Sequence, residues 1–266
     1  MGLLLTAAAV LLLGLPVNAQ LAPPNAAGVT YGHVHLNVSD IEVHKALWVE
    51  HFGGVVVQKG QLTAVRLPGT MIAFTERAPT GGSEGSVMDH VGFKVPDLEA
   101  FLAGWRDAGY EVTSEFTGSE GAPNAYVLSP DGVKIELQEE PTLSVKAEAY
   151  HVHFFTSGYR ELLDWYVDLF TMEPRARGAI LTTADVPGMN ISFSNSRSER
   201  VATRGRAIDH IGFEIEGLKA FCEMLEARGI VFDVPYREIA SIELAIAFFT
   251  DASGVFVELT EGFDKW

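Results

Sequence analysis

The chain has 266 residues, 47% hydrophobic and 20% charged, with 26 Gly and 12 Pro; that is too apolar and too varied for a disordered protein. The 35 acidic against 19 basic residues leave a net charge of −16, a field that repels nucleic acid and anionic membrane surfaces. One cysteine, Cys222, excludes an intramolecular disulfide and a thiolate cluster; within LKAFCEML it shares a helical face with Leu218 and Leu225 and reads as a small buried hydrophobe.

In chain order, the first feature is an apolar run from Leu3 to Leu15, followed by Val17-Asn18-Ala19. Its length and the small residues predict a signal peptide over residues 1–19, cut after Ala19 and directing export to the periplasm or the outside; no Lys or Arg lies near Met1. Next come four segments that open alike: GHVHLNVSD from Gly32, DHVGFKVPD from Asp89, YHVHFFTSG from Tyr150 and DHIGFEIEG from Asp209. Each alternates as a strand does. An amphipathic helical pattern follows each one, in turn IEVHKALWVEHFGG, LEAFLAGWRDAGY, YRELLDWYVDLF and LKAFCEMLEARGI. Short β-rich runs then lead to matching closing strands, GTMIAF, GVKIEL, GMNISF and GVFVEL. TGGSEG from Thr80 and SNSRSER from Ser194 read as connectors between units. The stretch from Glu139 to Ala149 reads as a linker.

The chain is thus four units of strand, helix and about three strands, in the order A-B-A-B. An α+β fold follows, with the four βαβββ units paired into two domains. The first spans residues 30–141 (units 30–77 and 87–141), and the second spans 148–262 (units 148–195 and 207–262). Sequence adjacency favours pairing of neighbours; pairing of the first unit with the fourth and the second with the third is the alternative.

Alternation along a strand sorts side chains onto two faces. His33, His35 and Asn37 share one face of the first opening strand; His90 and Lys94, His151 and His153, and His210 and Glu214 do so in the others. Glu136 and Glu258 take the same face of their closing strands. All but His44 and His51 of the eight histidines lie in the opening strands, so that face is not ordinary solvent surface. His44 and His51 fall in the first helix pattern and read as surface residues, and Lys94 and Glu214 as rim charges. Each half therefore offers two imidazoles and one carboxylate: His33, His90 and Glu136, then His151, His210 and Glu258. The alternative pairing would group His33, His210 and Glu258, and His151, His90 and Glu136. Such a set with open positions suits Fe(II) best, with Mn(II), Ni(II) or Zn(II) as competitors.

These motifs, above all SPDGVKIEL with Glu136 as its acid, resemble the vicinal oxygen chelate superfamily: glyoxalase I, bleomycin- and fosfomycin-resistance proteins, methylmalonyl-CoA epimerase and extradiol dioxygenases. The resemblance covers roughly residues 30 to 262. It implies open barrels around a metal, with ligands at the six positions just named. It also implies a small substrate chelated through adjacent oxygens, acted on by a dioxygenase or by a glyoxalase- or lyase-type enzyme. A binding protein that sequesters its ligand, as bleomycin-resistance proteins do, is the rival. Glyoxalase I-like sites add a second carboxylate, but Ala73 and Ser192 stand at the matching positions. Extradiol dioxygenases carry an acid-base His before a Tyr; Tyr126 fits the Tyr, no His precedes it, and Phe248 replaces it in the second half. His35 and His153 are then the candidates for the missing acid or base. The expected partner is a small molecule, with no nucleic acid and no membrane after leader removal, in a monomer or homodimer.

Overall fold

A computed structural model describes residues 21–265; the expected leader, residues 1–19, lies outside the described residues. The first unit comprises β1 (Val29–Val38), α1 (Ile41–Glu50), β2 (Val55–Lys59), β3 (Leu62–Leu67) and β4 (Thr70–Glu76). The second comprises β5 (Met88–Val95), α2 (Leu98–Asp107), β6 (Glu111–Thr117), β7 (Pro123–Leu128) and β8 (Lys134–Glu139). The third comprises β9 (Glu148–Thr156), α3 (Tyr159–Phe170), β10 (Glu173–Pro174), β11 (Thr183–Val186) and β12 (Met189–Asn195). The fourth comprises β13 (Ile208–Ile215), α4 (Leu218–Ala227), β14 (Phe232–Ile239), β15 (Leu244–Thr250) and β16 (Phe256–Glu261). Asp40 and Asp97 start α1 and α2 by accepting backbone N–H bonds at the first turn, which satisfies donors a helix leaves orphaned. None of the helices among the described residues is long and apolar enough to cross a membrane.

The strands form two open eight-stranded mixed sheets, ordered β14-β15-β16-β13-β1-β4-β3-β2 and β10-β11-β12-β9-β5-β8-β7-β6. At each centre two opening strands run antiparallel, β1 against β13 and β9 against β5. Each has its own unit's closing strand parallel on its other side.

This order corrects the expected pairing of neighbours. The first sheet joins units one and four, and the second joins units two and three. The stretch read as a linker, after Glu139, instead joins β8 to β9 within one sheet, while the connectors at 77–87 and 196–207 pass between sheets. Those two connectors run side by side, bonded from Thr80 N to Gly205 O (2.8 Å), Ala207 N to Gly81 O (2.9 Å) and Val87 N to Val201 O (2.9 Å). Units two and three still obey sequence adjacency; the two end units then complete the other sheet.

The helices pack within a core that both sheets share. Phe52 of the first unit meets Phe93 of β5 at 5.0 Å between ring centroids, and Phe170 of α3 stacks on Phe213 of β13 at 4.2 Å. Each ring comes from a unit whose own strands lie in the opposite sheet, so separating the sheets would expose both aromatic pairs. Cys222 is buried in that core, as expected. His44, expected on the surface, is buried: its Nε2 lies 2.8 Å from Asp131 Oδ2 in the turn before β8, a partner supplied by the next unit.

Candidate functional site

With one face of each sheet buried on the helices, the other face curves around the histidines. In the first sheet His33 on β1, His210 on β13 and Glu258 on β16 converge. His33 Nε2 lies 2.8 Å from Glu258 Oε2, and His210 Nε2 lies 2.9 Å from the same oxygen. In the second sheet, His90 on β5 and His151 on β9 place their Nε2 atoms 3.0 and 3.2 Å from Glu136 Oε2 on β8. The sequence-derived ligands therefore come together, in the cross-paired grouping. His35 joins the first set and His153 the second, each group offering ligand atoms all within 4.8 Å of one another.

Both centres carry an orienting acid to which the alternation of the strands assigns no role. Asp209 Oδ1 is 2.7 Å from His210 Nδ1, and Asp89 Oδ1 is 2.9 Å from His90 Nδ1. Each carboxylate can accept from Nδ1–H and so turns Nε2 toward the glutamate. Asp209 is itself fixed by Asn37 Nδ2 (2.9 Å) and Gly205 N (2.7 Å), and Asp89 by Arg200 (2.7 Å). The signal in the sequence is the Asp before each of those histidines in DHVGF and DHIGF.

The glycine two residues further on has a purpose too. Gly212 faces His33 across the β1–β13 register, and Gly92 faces His151 across β5–β9. A Cβ on either glycine would overlap the imidazole lying over it. The missing side chain is what lets the two ligand strands approach with a ring between them.

A divalent cation fits these donors. A lone pair facing a carboxylate oxygen near 3 Å is repulsive unless a cation or proton lies between. His90 Nε2 and His151 Nε2 are buried without a hydrogen-bond partner despite their closeness to Glu136. Burial would lower His210, but hydrogen bonds with Asp209 and Glu258 outweigh it and push it up to about 9. Glu136 and Glu258 are themselves held well below the usual carboxylate range, the facing histidines overcoming the cost of burial. Burial drives His151 down to about 4 and keeps His33 below its ordinary value. Burial would lower His90 likewise, but the Asp89 and Glu136 carboxylates outweigh it and raise it. An ion would therefore displace the Nε2 protons of His210 and His90, while His33, His151 and the ionised carboxylates already have the states a metal requires.

The flanking histidines sit beside the ligands. His35 stacks 4.5 Å from the His210 ring, with Nε2 2.8 Å from Thr75 Oγ1. His153 lies 4.9 Å from the His90 ring, with Nε2 2.8 Å from Ser194 Oγ. Burial lowers His35 to about 3, helped by the charge on His210, and takes His153 well down also, so both are neutral acceptors at physiological pH. Tyr126 OH donates to Glu136 Oε2 (3.3 Å), and Asn124 Nδ2 donates to Oε1 (2.6 Å). Burial raises the Tyr126 hydroxyl well above its ordinary value, so it acts as a donor. Phe248 occupies the equivalent register position opposite Glu258.

Beyond the ligands the walls differ. Ala64, Met71, Ala73, Leu244, Ile246 and Phe263 form an apolar cluster in the first sheet, with the Phe263 ring 4.5 Å from that of His33. Around the second centre stand Asn124, Gln138, Thr183, Ser192 and the buried Arg177. Ala73 and Ser192 pair across the strands with His35 and His153, and neither can supply a second carboxylate. Glu214, expected at the rim, is buried, accepting from Thr260 Oγ1 (2.5 Å) and Gly262 N (2.6 Å) and tying the C-terminal turn to β13.

Two paired-unit sheets are each cupped around a group of His and Glu that could hold a metal ion. Residues 30–137 match the family model for the Glyoxalase/Bleomycin resistance protein/Dioxygenase superfamily. The fold of the chain is similar to that of glyoxalase I from Zea mays, at 15% identity over 89% of this chain and 94% of that one, with a TM-score of 0.67. It is equally similar to a putative dioxygenase from Bacillus subtilis subsp. subtilis str. 168, at 10% identity over 91% and 86% of the two chains and a TM-score of 0.67. No curated protein matches the sequence.

Proposed function

We propose that this chain is an exported, metal-dependent enzyme that binds a small substrate through two adjacent oxygens, with dioxygenase chemistry favoured over glyoxalase- or lyase-type chemistry. The carrying observation is the donor set: two imidazoles and one carboxylate per centre, with Ala73 and Ser192 where a second carboxylate would stand. Three protein ligands leave positions for a chelating substrate and a second small molecule. The apolar run Leu3–Leu15 supports export.

His33, His210 and Glu258 would hold one ion, and His151, His90 and Glu136 the other, with Fe(II) favoured over Mn(II), Ni(II) or Zn(II). When bound, the ion supplies Lewis acidity and a template for the chelating oxygens. Asp209 and Asp89 keep the His210 and His90 protons on Nδ1. Asn124 and Tyr126 fix both oxygens of Glu136. His35 and His153, neutral and beside the ligands, can accept a proton from a substrate hydroxyl and pass it toward Thr75 or Ser194. Phe248 and Phe263 shield the first centre from water.

The test is elemental analysis of protein purified without chelator, then reloading with each of the four metals. Oxygen uptake with vicinal diols and hemithioacetal isomerisation are assayed in parallel. Bound metal that H210A removes from one centre and H90A from the other is the expected result, with oxygen uptake by the Fe(II) form. Failure of all four metals to bind overturns the proposal. Tight metal and ligand binding without turnover would make the protein a sequestering one.

A further inference from the structure

The side chain that most separates the two centres is Arg177, in the irregular stretch between β10 and β11. It is 1% exposed, yet among the described residues it makes no ion pair. Its Nε is 3.3 Å from Ser192 Oγ, and an Nη is 3.3 Å from Tyr150 OH. The guanidinium lies 5.0 Å from the centroid of the Tyr150 ring, whose centroid is 4.9 Å from that of His151. Ser192 pairs with His153 across β12 and β9. A full positive charge is therefore buried beside the second metal centre with only neutral, long hydrogen bonds.

A buried charge is costly unless an opposite charge meets it. Asp89 is already engaged by Arg200 at 2.7 Å and Lys134 at 3.2 Å. Glu136 and Glu120 act on Arg177 only from beyond bonding distance: Glu136 faces the two ligand histidines, and Glu120 is exposed and accepts from Gln138 Nε2 at 3.1 Å. A divalent ion on Glu136 would then leave the cup net positive, with Arg177 the uncommitted cation. The position is also held rigidly. Arg177 exchanges backbone bonds with Ile180 (2.9 and 3.0 Å), and Ser119 Oγ donates to its carbonyl (3.3 Å). Gly178, at φ +55°, presses against the Ser119 carbonyl so closely that a Cβ would overlap it. The first cup presents Ala64, Met71 and Ala73 instead.

We propose that the second centre is built for a substrate carrying an anionic group, a carboxylate or its equivalent, next to the chelating oxygens, with Arg177 as its counter-charge; the first centre takes an uncharged, more apolar one. This deepens the functional reading above and rests on it. Guanidinium suits a planar carboxylate because two N–H bonds can be made at once. A site committed to such bonds discriminates strongly against an analogue that lacks them.

The test uses two probes with the same vicinal diol, 3,4-dihydroxybenzoate and 4-methylcatechol, titrated calorimetrically into H210A protein loaded with Mn(II). Affinity for the carboxylate probe should exceed that for 4-methylcatechol at least tenfold. R177M should reduce the ratio to within twofold, leaving metal content and 4-methylcatechol affinity unchanged, and R177K should retain part of the preference. A ratio near one in the parent protein, or one that R177M does not move, overturns the inference. Should R177M fail to fold, R177K decides: a ratio unaltered by shortening the fork overturns it. Metal content, measured separately, reports on the functional reading. If no metal binds, the same titration of the metal-free protein still decides the matter, an Arg177-dependent preference supporting the inference and its lack overturning it.

Discussion

Substitution of Gly212 by alanine tests the ligand geometry most directly. The backbone there is ordinary strand, so the added methyl brings no torsional strain, only volume. That volume falls on His33: even Nε2, the far ring nitrogen, lies 2.6 Å from the built Cβ, and the nearer atoms overlap it. Non-bonded carbon contacts settle at about 3.5–4.0 Å and the ring's Cε1 lies only 2.0 Å from the built Cβ, so the ring must retreat by roughly 1.5–2 Å. It has little room, being fully buried and covered by Phe263. Metal–ligand distances tolerate about 0.2 Å, so the centre loses His33 as a ligand. Overpacking should cost about 1–3 kcal/mol of stability. Loss of the ligand should weaken metal binding at least 100-fold, about 2.7 kcal/mol. The assay is a Zn(II) or Ni(II) titration against a competing chelator. The parent protein should bind two ions, G212A one tightly, and G92A the other one. A G212A protein that holds both ions within twofold of the parental affinity would refute the reasoning.

D209N and D89N keep the shape of the orienting acid but not its charge; each should weaken metal binding at its own centre about 10- to 100-fold, read by the same titration. H35A and H153A should leave metal content intact while lowering turnover at least about 100-fold at the affected centre; loss of the ion with the side chain would make them ligands instead. Burial raises Glu214 from 4.5 to about 7, against the bonds from Thr260 and Gly262. Between those values the folded state holds more protons than the unfolded one, so stability falls as pH rises through that window, by on the order of 3 kcal/mol. E214Q should be more stable than the parent at pH 8 by up to that amount and nearly equal to it near pH 4.5, as judged by urea unfolding of metal-free protein.

Much of the architecture was legible because two periodicities carry it. Alternation in the opening strands put His33, His90, His151 and His210 on one face, and the three-and-four spacing of LEAFLAGW or LKAFCEML put the helices on the other. The pairing was not legible, for a physical reason. Four opening strands with the same alternation are chemically interchangeable edges, and β1 can lie against β5 as readily as against β13 on pattern alone. The choice is made by the two connectors bonded to each other and by aromatic packing between units, as in Phe52 on Phe93 and Phe170 on Phe213. His44 misled because its partner, Asp131, lies in another unit. Glu214 misled because the backbone N–H groups that hold it belong to the C-terminal turn. Arg177 lies in a stretch with no periodicity at all, so no pattern could show where it points.

The cross-pairing also explains how two centres of equal ligand type could come to differ. Each sheet contains one unit of each type, so each retains an HVH strand, a DHxGF strand and a closing glutamate. The ligand set and its orienting acid are thereby fixed twice. The walls are not, because they come from the strands beside those that carry the ligands, β3, β4 and β15 in one sheet and β7, β11 and β12 in the other. Those strands differ at the positions facing the ion: Tyr126 against Phe248, Ser192 against Ala73, and Thr183 against Ala64. Each exchange puts the polar member in the second cup and the apolar member in the first. A single exchange would be unremarkable, but three in the same direction, with a buried cation added on the polar side, are what two distinct substrates would select. Identical substrate preferences at the two centres, measured in the H210A and H90A backgrounds, would remove that explanation.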